Sequence, residues 1–153
     1  MNLGLLAGAA AGAAGTTALD AATYLDMAVR GRGASHTPEQ TVETLADRTG
    51  IAIPGEGETR SNRVSGIGSL SGIATGVGIG AAFGLLRRLG IRPPTLAGGV
   101  LIGLAAMAAT NSSMASFEVS DPRTWSAGDW LSDLLPHLAY GLATYATLEA
   151  LDR

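Results

Sequence analysis

Between Val64 and Leu86 the chain carries no charged side chain, and within that run glycine recurs at every fourth residue: Gly68, Gly72, Gly76, Gly80 and Gly84. A bilayer crossing takes ~20 consecutive apolar residues, so the run is long enough to span. In water, glycine inside a helix costs about 0.5–1 kcal/mol relative to alanine. In lipid the hydrophobic effect no longer drives helices together, and close backbone packing takes its place. The ridge therefore predicts a membrane helix with a tight contact face, a glycine zipper. It is silent on chemistry.

A second charge-free run lies between Pro93 and Phe117. Charged residues make up 15% of the 153 residues, against about 25% in soluble domains, and they are segregated into loops. The mean hydropathy of +0.27 is modest because so much of the apolar content is Ala and Gly. The expected fold is all-α: a four-helix transmembrane bundle in one integral membrane domain, with spans at about 3–29, 64–86, 95–116 and 127–150. The N-terminal stretch "MNLGLLAGAAAGAAG" lacks the basic n-region of a secretory signal, so it reads as a span and not as a cleaved leader.

Residues 30–62 form a polar loop. Within it "TPEQTVETLADRTG" predicts a short amphipathic helix, with Thr37 as N-cap, Pro38 in the first turn, Gln40 closing a capping box and Gly50 as stop. "SAGD" at Ser126–Asp129 reads as another capping-box start, with Asp in place of Glu. The connection holding Arg87, Arg88 and Arg92 is purely basic, which by the positive-inside rule places it, and both termini, in the cytoplasm. Arg30 and Arg32 argue the other way.

The fourfold spacing extends to the other segments. Segment one carries Gly4, Gly8 and Gly12, then Thr16, Asp20 and Tyr24. Segment three carries Gly99 and Gly103, then Asn111. Segment four carries Asp133, His137, Gly141, Tyr145 and Glu149. In an up-down bundle the polar ends of these ridges fall on one side. The pattern predicts a bundle packed dry at one end and polar at the other, with Glu149 and Asp152 solvated. The candidate polar site is Asp20, Tyr24, Asn111, Asp133, His137 and Tyr140. Intramembrane ionisable groups face an interior or a wet cavity by default. Asp20 is accordingly expected within hydrogen-bonding reach of Asn111 or His137, either as a proton or cation site or as a post tying helices together.

Other classes find no support in the residues. A net charge of −3 gives no nucleic-acid footprint, there is no cysteine, and two histidines make a His-rich metal site untenable. No GxSxG elbow or phosphate loop occurs. No cofactor is expected, and no nucleophile–base pair points to an enzyme.

"TTALDAATYLDMAVRGR" followed by "SHTPEQTVETLA", about residues 10–46, resembles the N-terminal pattern of uncharacterised small multi-pass membrane proteins of actinobacteria. The resemblance implies a bacterial inner-membrane location and no reaction. The sequence thus leads first to a structural or accessory protein of the cytoplasmic membrane, partnered by lipid and by a homo-oligomer or larger complex. The competing reading is a small transporter or channel with an ion, proton or solute site at the Asp20–His137 end.

Overall fold

The computed structural model describes residues 3–152; Met1, Asn2 and Arg153 lie outside the described residues, and with them the first two positions of the N-terminal stretch. The chain is all-α. Its elements are α1 (Leu3–Arg30), α2 (Thr37–Thr49), α3 (Gly57–Arg88), α4 (Thr95–Ser116), a 3-10 turn (Pro122–Thr124) and α5 (Ala127–Leu151), with no strand among the described residues.

Local chemistry sets the boundaries. α5 opens with a complete capping box. The Asp129 amide donates to Ser126 Oγ at 3.2 Å, and the Ser126 amide donates to Asp129 Oδ2 at 2.9 Å. α2 is capped by His36, not by Thr37, and has no side-chain cap. The Thr37 hydroxyl is engaged by Ser35, whose Oγ lies 2.8 Å away, which leaves Thr37 as the first helical residue. Gly50 stops α2 in the left-handed region, at φ 69°. α3 begins at Gly57, seven residues before the charge-free run, because Arg60 and Arg63 find partners beside the helix. Arg60 pairs with Glu43 at 2.6 Å and Arg63 donates to the Pro54 carbonyl at 2.7 Å.

The C-terminus of α4 is a Schellman turn, with the Val119 amide bonded to the Met114 carbonyl and the Glu118 amide to the Ala115 carbonyl. Glu118 holds the left-handed position at φ 59°, where glycine is the usual occupant.

Two helices, α3 and α4, are long and apolar enough to cross a membrane, with mean hydropathies of 1.6 and 1.3 over their best windows. Four were expected. At 28 and 25 residues α1 and α5 have the length. Their apolar content is diluted by Ala, Gly and Thr, and by Asp20 and Asp26 in α1 and Asp129 and Asp133 in α5.

The long helices follow one another in space in the order α3, α1, α5, α4, and α3 touches α4 only slightly. Glycines make each junction close. A β-carbon on Gly80 would stand 2.5 Å from Gly12 Cα and from the Gly8 carbonyl, while Gly84 meets Gly4 and Gly8. A β-carbon on Gly15 of α1 would strike the Thr144 hydroxyl of α5, and one on Gly103 of α4 would lie 2.6 Å from the His137 carbonyl of α5. The ridge of α3 is not one uniform face. Gly76 lies against Thr16 and Tyr140, Gly68 packs on Pro38 of α2, and Gly72 meets nothing within 4 Å. The split arises because α2 packs on α3 where the ridge continues past α1. Ala11, Ile102, Ala106, Tyr140, Tyr145 and Leu148 form the buried centre.

The end expected to be dry is not. Buried Tyr145 accepts from Arg87 at 2.9 Å and donates to the Pro93 carbonyl. Arg87 and Arg92 both reach Asp152, at 2.8 and 3.3 Å, and Thr95 donates to Glu149 at 2.8 Å. Glu149, expected to be solvated, is only partly exposed; Asp152 is exposed, as expected, and still pairs with both arginines. A helix end leaves four carbonyls unpaired, and here basic and hydroxyl side chains collect around such ends.

Two predictions follow from the packing. Gly80→Leu should abolish the cooperative thermal transition of the purified protein, whereas Gly72→Leu and Gly78→Leu, which meet open space, should leave it intact. Equal tolerance at all three would show that the α1–α3 junction does not hold the fold. Glu118→Gly should stabilise the chain by about 1 kcal/mol in the same measurement, since glycine takes the left-handed position without strain.

Candidate functional site

The polar cluster that forms lies between α4 and α5. Asp133 sits two turns into α5, and His137 follows it by one turn on the same face. From α4, Asn111 Nδ2 donates to Asp133 Oδ2 at 2.9 Å. His137 Nδ1 lies 2.8 Å from the Asp133 carbonyl and 3.2 Å from Asp133 Oδ1. Both neighbours are acceptors, so the proton belongs on Nδ1. His137 Nε2 lies 3.3 Å from the Thr110 hydroxyl of α4. Pro136, between Asp133 and His137 in chain order, removes one backbone donor from α5.

Asp20 stands outside this cluster, contrary to the expected contact with Asn111 or His137. Among the described residues it makes no hydrogen bond or ion pair. The reason is the order of the helices: α1 packs on α3 and α5 and has no substantial contact with α4. Asp133, on the helix that does face α4, takes the Asn111 amide. Tyr24 is 64% exposed and also stands apart. Tyr140 is buried but points the other way, donating to the Gly76 carbonyl of α3 at 2.6 Å. Of the six residues, the structure brings together Asn111, Asp133 and His137.

Sequence reading missed two further ties. Asp26 receives Arg30 and Arg32, and the Ser132 hydroxyl of α5 donates to it at 3.0 Å. Arg30 also donates to Ser132 at 2.6 Å, so the end of α1 is bound to the start of α5. The fourfold spacing of Ser132 after Gly128, both touched by Arg30, was the available signal. Thr110 went unremarked because threonine in a helix usually bonds its own backbone, as it does here to the Ala106 carbonyl at 3.1 Å.

Two buried polar atoms on α4 and α5 lack a partner. Asn111 Oδ1 and Thr144 Oγ1 are fully buried and unbonded. Beside Asn111 an open groove of about 930 Å³ runs along α4 to the 117–123 loop and Trp130; its lining includes neither Asp20, Asp133 nor His137. Among the described residues no set of three His, Asp or Glu side chains could hold a metal. Chemically the cluster ties α4 to α5 through the Asn111–Asp133 and Thr110–His137 contacts.

In the loop, Asp121 accepts from two nitrogens of the Arg123 side chain and from its amide. The Arg123 guanidinium holds the Asp121 carboxyl below the usual carboxylate range, so the pair is ionised at neutral pH.

Comparison with protein families, with curated proteins and with solved structures gave no match to this chain.

The cluster predicts a ranking of stabilities. Asn111→Ala removes one interhelical bond and should cost about 1 kcal/mol. Asp133→Ala strands both the Asn111 amide and His137 Nδ1 and should cost about 2 kcal/mol. Asp20→Ala should change stability by less than about 0.5 kcal/mol. Denaturation of the purified variants reads all three, and an Asp20 effect equal to that of Asp133 would place Asp20 inside the network after all.

Proposed function

We propose that the chain is a multi-pass integral protein of the bacterial inner membrane, with α1, α3, α4 and α5 all spanning, and that its role is structural or accessory. One observation carries this reading: Asp133, His137, Tyr140 and Asp26 on the long helices are all engaged by partners within the fold. Asp133 holds Asn111 and His137, both nitrogens of His137 face partners, Tyr140 donates to Gly76, and Asp26 is held by two arginines and Ser132. Groups so committed serve as interhelical ties, worth about 0.6–2 kcal/mol each in lipid. A transport site needs groups that exchange partners with a passing ion. The glycine contacts support the same reading, because close backbone approach is how helices associate without a hydrophobic drive. Large side chains on the outer face of α3, among them Ile67, Leu70 and Ile73, are exposed as lipid-facing residues are.

The alternative, an ion or proton path, draws support from Asp20 alone, the one site carboxylate without a partner among the described residues. Basic residues at 87, 88 and 92 favour cytoplasmic termini.

Two measurements test the proposal. Reporter fusions after residues 90 and 122 should report cytoplasm and exterior; a same-side result would remove α4 as a span, and the reverse pattern would show that Arg30 and Arg32 set the orientation. In proteoliposomes the protein should dissipate a proton gradient no faster than empty vesicles. Gradient loss that is abolished by Asp20→Asn would overturn the accessory role in favour of transport.

A further inference from the structure

The groove beside α4 has an amphiphile's polarity. Its long wall is a single stripe of α4: Leu104, Met107, Ala108, Asn111, Ser112 and Ala115. These positions recur at helical spacing over eleven residues, about 16 Å of rise. Leu104, Met107 and Ala108 lie at the deep end, within the apolar part of the helix, and Ser112 interrupts the wall near its upper part. The upper lip is the 117–123 loop, where Glu118, Asp121 and Arg123 border the opening together with Trp130.

The lip is held in shape. Asp121 caps the 3-10 turn, Trp125 donates to Ser120 at 2.9 Å, and Trp125 and Trp130 pack edge to face with ring centres 5.2 Å apart. Indole rings of this kind sit at the headgroup level of a bilayer. The lip carries both signs of charge, and Glu118 makes no ion pair among the described residues. Its backbone is also in the left-handed region, at φ 59°, where glycine is the usual occupant.

We propose that this groove binds a phospholipid whose headgroup carries a primary ammonium, the phosphatidylethanolamine type. The ammonium faces Glu118 and Asp121, the phosphate faces Arg123, the Ser112 hydroxyl lies at the depth of the glycerol esters, and an acyl chain follows the stripe from Ala115 down to Leu104. An anionic headgroup fits worse, because the lip holds two carboxylates to one guanidinium. A quaternary ammonium fits worse, because it has no N–H to donate. The inference rests on the membrane reading above.

The test is native mass spectrometry of the purified full chain, titrated at equal concentrations with phosphatidylethanolamine, phosphatidylglycerol and phosphatidylcholine. Phosphatidylethanolamine adducts should dominate by about tenfold. Ala108→Trp fills the groove from an exposed position and should erase that preference; Ala109→Trp, exposed on the same helix but outside the groove, should keep it. Glu118→Gln should reduce it while leaving the protein folded. Equal binding of the three lipids, or a preference that survives Ala108→Trp, overturns the proposal. Alkaline extraction of membranes tests the premise separately: release of the chain into the soluble fraction would overturn the membrane reading, whereas retention with no lipid preference would overturn the groove alone.

Discussion

The near-contact of two backbones at Gly8, Gly12, Gly80 and Gly84 is the constraint on which the other contacts depend. No side chain separates the helices there, so their axes lie closer than those of helices that interlock through larger residues. Close approach also fixes register. With Gly80 seated on Gly12, Gly76 falls opposite Thr16, and its carbonyl comes within reach of the Tyr140 hydroxyl from the third helix of the group. One steric match thus positions a hydrogen bond between α3 and α5, which have no broad contact of their own. The same device recurs where Gly141 meets Gly99 and Gly103, and there it sets the level at which Asn111 finds Asp133.

Polar groups fasten what the glycines bring together. The Asp133 cluster ties α4 to α5, Asp26 and Ser132 tie α1 to α5, and Arg87 with Tyr145 and Asp152 ties α3 to α5. In each case a buried or half-buried acceptor meets a donor from another helix, since leaving it unpaired costs more than the bond itself returns. α5 takes part in all three, which explains why it carries so many polar residues for a helix of its length.

What could be read from the residues was mostly local. Helical class, the glycine spacing, the Ser126 capping box and the Gly50 stop depend on neighbours a few positions apart, and those are visible in a string of letters. The bounds of α4 at Thr95 and Ser116 follow from charge and proline alone. The partner of Asn111 was not legible, because it depends on which helix lies next to which. Fourfold spacing gives a face for Asp20 and a face for Asn111, but it does not say that α5 stands between α1 and α4. The same ignorance of neighbour order hid the split of the α3 ridge and the closure of the Arg87 end. In α2, a competing hydroxyl at Ser35 displaced the expected cap, a local effect that spacing rules do not weigh.

The order α3, α1, α5, α4 differs from the order in which a ribosome releases these helices. α1 meets its first partner when α3 emerges, and the pair can dock at once. α4 comes next, yet it barely touches α3, and its glycine face matches only α5, the last helix to be made. Until synthesis ends, α4 stands without a seat while half of α1 also waits. The chain therefore passes through a stage in which the small-residue face of α4 has been made and its α5 partner has not.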